Sequence, residues 1–495
     1  MIKCKSFVII AIFLSSVAFS QHCNNFIRVG RVNIMKDLLC PEIMVSDLQF
    51  LREKLDLIHP DPYYYTSKQK LDSLYKTSLL KVSRELTIFE FTEVVAEFLN
   101  AIKDSHTNLN PMSLLYYGET SRAAFPFELR EINGKIYIEQ LSKCDKYTGC
   151  EVLEIHGMDV FDLMRLSYSF SLTEADASEA KREIATKGMA LIFNLTNQLE
   201  FLDSIPMKLI NNLDTIIHYI PRSSKREFLN LKQKAANMSL SYIFDSNNRG
   251  ILTISTFEPR NLKRYKNELD VFFRLVAEKN CREVVIDLRD NQGGLVRAQE
   301  YLLSYLNWNN RNHEIEYLYK RSDYDRFSLL PFYQKWQFER QAKRVFPKGV
   351  ISKEYEFFKS QKGTVKRIVY DYLPKNNENT SYDGKCTLLI NGFSMSASVL
   401  FTSWFKSTNR GEIIGSPCLG TMSGTFGNGV QINLRETGLP VTISTLKFNP
   451  LHTKEVVFEA IQPTLKIAYS IEDLKQKRDP VLNYLNIMIP FSTLK

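Results

Sequence analysis

The sequence predicts an α/β fold: a layered domain in the second half, preceded by a helical region and a small module of short strands. Three observations predict it. The run Val284-Val285-Ile286-Asp287-Leu288-Arg289 is largely apolar and ended by charge, which is how a parallel strand covered on both faces reads. A second apolar run, Thr387-Leu388-Leu389-Ile390, leads through a polar turn into an amphipathic stretch from Val399 to Trp404. In both places strand, loop and helix follow one another, an order that allows the two loops to meet at one sheet edge.

At 495 residues the chain exceeds one ordinary core and implies several domains. Residues 1–20 have the pattern of a signal peptide: Lys3 and Lys5, an apolar centre from Phe7 to Leu14, then Ala18-Phe19-Ser20 as a small-x-small cleavage site. The expected product is exported, periplasmic or extracellular. Cys23 offers a surface-lipoprotein alternative, weakened by His22 where a small residue belongs. Downstream there is no run of 18 apolar residues, so no transmembrane span is expected.

An N-terminal helical domain is expected over 21–120. Apolar spacing runs through Met44, Leu48, Leu51, Leu55 and Ile58, and again through Phe91, Val94, Val95, Phe98 and Leu99. His59-Pro60-Asp61-Pro62 breaks the first run. Tyr63-Tyr64-Tyr65 beyond the break either lines a peptide groove or, the preferred reading, packs the helical layer on the next domain. Strand patterns fill 121–165, at Ala123 to Leu129, Lys135 to Glu139 and Glu151 to Ile155. Residues 166–245 form a connecting region, helical to about 200 and then stranded. The α/β core is placed at 246–485, interrupted by an aromatic and basic insertion at 307–384, with a tail at 486–495. Trp336, Phe338 and Phe346 in the insertion suit either a lid or an excursion packed by its own aromatics.

The formal charge of +9, or +7 once Lys3 and Lys5 are removed, is a mild excess for this length and not a nucleic-acid footprint. Arg222, Lys225 and Arg226 are read as a solvated loop. There is no Walker motif and no supported dinucleotide fingerprint, so nucleotide binding has no basis. The histidines are scattered and no Cys-x-x-Cys occurs, so neither a metal nor an organic cofactor is expected. Of eight cysteines, Cys144 and Cys150 bracket a turn that a disulfide would staple, and Cys281 and Cys386 flank core strands.

The chemistry is sought in Asn391-Gly392-Phe393-Ser394-Met395-Ser396-Ala397-Ser398. A serine between a buried strand and a helix stands where free N–H groups favour developing negative charge. Ser396 is the candidate nucleophile; the plainer reading is that these serines only cap a helix. A hydroxyl nucleophile needs a base. Asp104-Ser105-His106-Thr107 sits in a polar setting and makes His106 the best candidate, against a role at a helix end. The Gly293-Gly294 pair allows close backbone approach, so one of these N–H groups, with that of Ala397, is a candidate oxyanion donor, or else the pair is simply a turn.

Together these features resemble the tail-specific, or C-terminal processing, serine peptidases of family S41. The resemblance rests on Val285 to Gly294, on Ser394 to Ser398 and on Gly415-Ser416-Pro417. It implies a crotonase-like and Clp-protease-like core. Val399 departs from the glutamate usual after the nucleophile segment. The serine–lysine branch places its lysine about 25 residues beyond the serine, where this chain has Thr421; Lys406 and Lys447 are off that spacing. The tricorn-like branch instead takes its base from an Asp-x-His-Thr segment, which Asp104 to Thr107 matches, with Ser105 as auxiliary serine. That branch adds a late glutamate, for which Glu455 and Glu459 both stand before Ile461-Gln462-Pro463, with Glu455 preferred. Gly149 to Gly157 resembles part of a PDZ-like module, here reduced. The resemblance thus implies an exported serine endopeptidase or oligopeptidase acting on peptide or unfolded protein through an acyl-enzyme. The alternative is a silent peptide- or lipid-binding protein on the same fold.

Overall fold

A computed structural model describes residues 33–116, 123–141, 146–196, 202–211, 214–224, 239–306, 314–325, 327–344, 350–371, 381–453 and 455–487. The leader, Cys23, Cys144, Lys225, Arg226 and Phe346 lie outside the described residues, as does most of the tail.

The layered domain is built on a six-stranded sheet ordered Leu240–Phe244, Arg249–Ile254, Glu283–Asp287, Lys385–Ile390, Glu412–Gly415 and Leu465–Lys466. All pairs are parallel except the first, which is antiparallel. Alternation along the strands separates two cores. Leu252, Ile286 and Leu388 face the helices Leu262–Glu278, Val296–Leu306 and Ala397–Ser407. Ile251, Val285 and Leu389 face the opposite layer, covered by Val481 and Leu482 of the helix Pro480–Tyr484. Every residue of Glu283–Asp287 is buried, as a strand sandwiched on both faces requires. Cys281 and Cys386 lie in this core as expected.

The first half has the helices Pro41–Ile58, Lys68–Lys81 and Ile88–Asn100. The last begins with a capping box between Thr87 and Glu90, which satisfies its first free N–H groups. The strand module is not closed within 121–165. Phe127–Ile132, Lys135–Leu141 and Glu151–Ile155 continue into Ser204–Asn211 and Asp214–Pro221, so the connecting region supplies the rest of one antiparallel sheet. One continuous core joins the helices, this sheet and the late hairpin Val430–Asn433/Pro440–Ile443. Cys150 is a buried free cysteine.

The helical stretch expected over 166–200 is two helices, Val160–Ser169 and Ser178–Thr196. Between them Ala175 takes φ 44°, and its N–H donates to Lys103 O at 2.9 Å. Alanines that favour helix are overridden there by a tertiary contact. The 307–384 insertion is likewise structured. Its strands Glu314–Lys320 and Val365–Asp371 pair with each other, and the first also pairs with Leu446–Pro450, which runs on to Thr425–Gly427. Phe338 packs with Phe327, Tyr355 and Phe358 in an aromatic core built largely from the insertion, whereas Trp336 is exposed.

Candidate functional site

Because Glu283–Asp287 and Lys385–Ile390 are neighbouring parallel strands, the loops at their C-terminal ends meet. Met395 N–H donates to Asn291 O at 3.1 Å and Ser398 Oγ to the same oxygen at 2.9 Å. Ser394 Oγ donates to Leu288 O at 2.8 Å. Ser394 and Ser398 are fully buried and spent on these bonds.

Ser396 differs from both. It is half-buried, precedes the helix Ala397–Ser407 and makes no side-chain cap to it. Its backbone is at φ 54°, ψ −118°, a region costly for any residue with a Cβ, of order 1–3 kcal/mol. A capping serine is ordinarily extended and bonded to the helix N–H groups, so the plainer reading of Ser396 does not describe it. Ala397 is the first helical residue, and its N–H has no intrahelical partner.

The glycine loop abuts this turn. A Cβ on Gly293 would lie 2.5 Å from Ser396 Cβ and 2.9 Å from Ala397 N, so only glycine fits. Gly293 N–H donates to Asn291 Oδ1 at 2.8 Å. Gly293 O and Leu295 N–H pair with Phe257 on either side of Gly294. Of the two glycines, then, Gly293 packs against the serine with its N–H engaged, while Gly294 forms the bridge residue beside it.

His106 heads a chain of polar contacts. Its Nδ1 lies 3.2 Å from Ser105 Oγ, and Ser105 donates to Glu174 Oε2 through both its hydroxyl, at 2.7 Å, and its N–H, at 2.9 Å. Since the single hydroxyl hydrogen goes to Glu174, Ser105 Oγ accepts from His106 Nδ1–H. That tautomer leaves Nε2 with a bare lone pair. Asp104 anchors the loop from below, accepting from His106 N at 2.9 Å, Thr107 Oγ1 at 2.6 Å and His59 Nε2 at 3.0 Å. His59 Nδ1 accepts from Asp61 N–H, so its proton is on Nε2. Asn108 pairs with Thr442 in both directions, and Ser444 N–H donates to Thr107 Oγ1.

The electrostatics follow from burial. Desolvation lowers the His106 pKa, opposed by Asp104 and aided by Lys447. Glu174 is raised, first by desolvation and then by the Asp104 charge. Burial also raises Asp104, but the His59 hydrogen bond, with the electrostatic influence of the neighbouring His59 and His106 rings, outweighs it and holds this carboxyl below its ordinary value. Lys447 is fully buried and lowered by desolvation; its Nζ donates to Ser423 O at 2.9 Å and lies 4.6 Å from the Tyr64 ring centroid. Tyr64 and Tyr65 pack on Phe426, as the preferred reading of the tyrosine run expects.

The histidine loop and the serine loop converge on the break at 170–177. Glu174 holds Ser105, while Ala177 and Ala180, which follow it, share an apolar cluster with Met395 and Leu419. Neither Glu455 nor Glu459 takes part: both are exposed, and among the described residues neither side chain bonds to Ser105 or His106. The carboxylate on Ser105 is Glu174, 69 residues downstream of it. Its only sequence signal was an acidic residue amid Ser, Thr and Asp inside a supposed helix. Lys447, set aside on spacing, is within electrostatic reach of Glu174 and Asp104.

Asp104, His106 and Glu174 offer possible metal-ligand atoms within 4.8 Å of one another. Both Asp104 oxygens and one Glu174 oxygen are already accepting hydrogen bonds, and the Lys447 charge stands nearby. Those contacts describe a hydrogen-bonded relay better than a cation cage.

Residues 248–467 match the model of peptidase family S41. No curated protein matches the chain. Among solved structures, a serine-to-alanine mutant of CPAF is similar at TM-score 0.62 and 15% identity, covering 90% of this chain and 96% of that one. Mature CPAF with lactacystin is similar at TM-score 0.59 and 15% identity, over 90% and 97%. Mature CPAF alone is similar at TM-score 0.58 and 15% identity, over 90% and 96%. At such identity the likeness is one of fold.

Proposed function

We propose that this chain, whose residues 248–467 match the model of peptidase family S41, is a serine peptidase of that family that cleaves peptide or unfolded protein substrates through an acyl-enzyme. The observation that carries the reading is Ser396 itself, held at φ 54° with its side chain uncommitted to the helix and its backbone pressed on Gly293. Strain of this kind concentrates where a reactive group must be presented.

His106 Nε2 takes the Ser396 proton as the hydroxyl attacks the substrate carbonyl. The oxyanion is received by Ala397 N–H together with an N–H of the Gly293-Gly294 loop, Gly294 being favoured because Gly293 N–H is engaged. The imidazolium formed keeps Nδ1–H on Ser105 Oγ, and Glu174 orients that hydroxyl. His106 then passes its proton to the leaving amine, and water repeats the attack on the ester. This is the histidine-based branch of the family rather than the lysine-based one. An exported location accords with the leader-like residues 1–20.

The test is labelling with a serine-directed fluorophosphonate alongside hydrolysis of a denatured protein. The intact chain is expected to label and hydrolyse, and Ser396→Ala and His106→Ala to do neither. A folded chain that neither labels nor hydrolyses, yet retains peptide, would replace the reading with that of a binding protein.

A further inference from the structure

The insertion carries a feature that the peptidase reading leaves unused. Its helix Phe332–Arg344 turns Phe338 inward against Phe327, Tyr355 and Phe358. The opposite side is aromatic and exposed: Phe332 by 86%, Tyr333 by 64% and Trp336 by 48%, with Leu329 just ahead at 54%. At about 100° per residue, Phe332, Trp336, Arg340 and Tyr333 fall on one arc roughly 100° wide. Tyr333 and Trp336 are stacked, and Arg340 lies 5.3 Å from the Trp336 ring centroid. The helix contains Lys335, Arg340, Lys343 and Arg344 against one acidic residue, Glu339, which pairs with Lys359 at 3.1 Å.

We propose that this face docks on an anionic phospholipid bilayer surface, bringing the enzyme to the membrane as a peripheral protein. Large aromatic rings beside cationic side chains suit the headgroup boundary, where rings sink shallowly and the charges meet lipid phosphate. A second copy of the chain is a poorer occupant, because a two-fold contact sets the same cationic patch against itself. Among the described residues no helix is long and apolar enough to cross a membrane, so the contact is interfacial. The chain's net positive charge, +9 formally and +7 without Lys3 and Lys5, adds a mild attraction of the same sign.

The test is sedimentation of the full chain with vesicles of mixed phosphatidylglycerol and phosphatidylcholine, against phosphatidylcholine alone. Binding to the anionic vesicles only is expected. Phe332→Ser with Trp336→Ser should weaken it about tenfold or more, since two exposed rings lose their burial. Arg340→Gln should weaken it about fivefold. Both variants should keep the thermal midpoint and the hydrolysis of a soluble substrate. Three results would each overturn the proposal: equal binding to neutral vesicles, anionic binding indifferent to the ring substitutions, or failure to bind vesicles while the ring variant turns a dimer into a monomer. Retention on an acidic polypeptide but on no vesicle would assign the face to a protein partner instead.

Discussion

Glu174 accepts both hydrogen-bond donors of Ser105, at 2.9 Å from the N–H and 2.7 Å from the hydroxyl, and is itself fully buried. The carboxylate therefore fixes which way the hydroxyl points, and through it which nitrogen of His106 carries a proton. Glu174→Ala, which removes the acceptor of both Ser105 donors, should lower kcat by about 10- to 100-fold with little change in KM. Glu455→Gln and Glu459→Gln should stay within about threefold of the parent, as exposed carboxylates outside the relay. Steady-state kinetics on one peptide decide between them; the reverse order would return the role to the late pair.

The turn at Ser396 makes a prediction about stability. Ser396→Ala keeps a Cβ at φ 54°, whereas Ser396→Gly removes it. Both should abolish hydrolysis, but the glycine variant should be the more stable by about 1 kcal/mol in denaturant unfolding. Equal stabilities would mean that the turn is unstrained.

Gly293→Ala tests the contact from the other side. Its new methyl would meet Met395 O at 2.8 Å and Ala397 N at 2.9 Å, both backbone atoms unable to swing aside. The serine and its neighbouring N–H must shift together, and a fall in kcat/KM of about 100-fold or more is expected, with far-ultraviolet circular dichroism unchanged. Retained activity would show that the oxyanion donors lie elsewhere.

A pH profile reads the imidazole. Desolvation and Lys447 lower the His106 pKa while Asp104 raises it, and the net direction is down. In the proposed mechanism activity needs the neutral imidazole, so the acid limb of kcat/KM should fall below the ordinary histidine value of about 6.5. Lys447→Met removes a positive charge that favours the neutral imidazole, so that limb should move to higher pH. A limb unmoved by the substitution would separate Lys447 from the base.

His59 and Asp104 form a buried pair, with both side chains inaccessible to solvent. His59→Ala strands a carboxylate that is held below its ordinary pKa largely by that histidine. The loss should be about 3–5 kcal/mol at neutral pH. Because a lowered carboxylate stabilises above its unfolded pKa and ceases to do so as pH falls through the folded value, the penalty should shrink toward strongly acidic pH. Urea unfolding at neutral and acid pH measures both.

Much of this was legible because both halves of the serine site are local in sequence. A strand, a glycine loop and a serine turn announce themselves through apolar runs and polar punctuation, and Ser396, Gly293 and Ala397 indeed meet where the strand order brings them. His106 stood out by its polar surroundings. Glu174 was not legible, because it rests on a helix break that local propensity denies and on a contact to Lys103 made across the fold. Lys447 was hidden for a related reason: spacing along the chain carries no information about a strand whose position is set by pairing with the insertion. The strand module was judged too small because its last two strands follow an intervening pair of helices.

The pairing of Asn108 with Thr442, and of Thr107 with Ser444, has a consequence for the order of synthesis. The loop that presents the imidazole is braced by residues made more than three hundred positions later. A nascent chain still lacking that hairpin has neither the brace nor the sheet around Ser396 in final form, so the His106 loop settles only after residue 444 has been made.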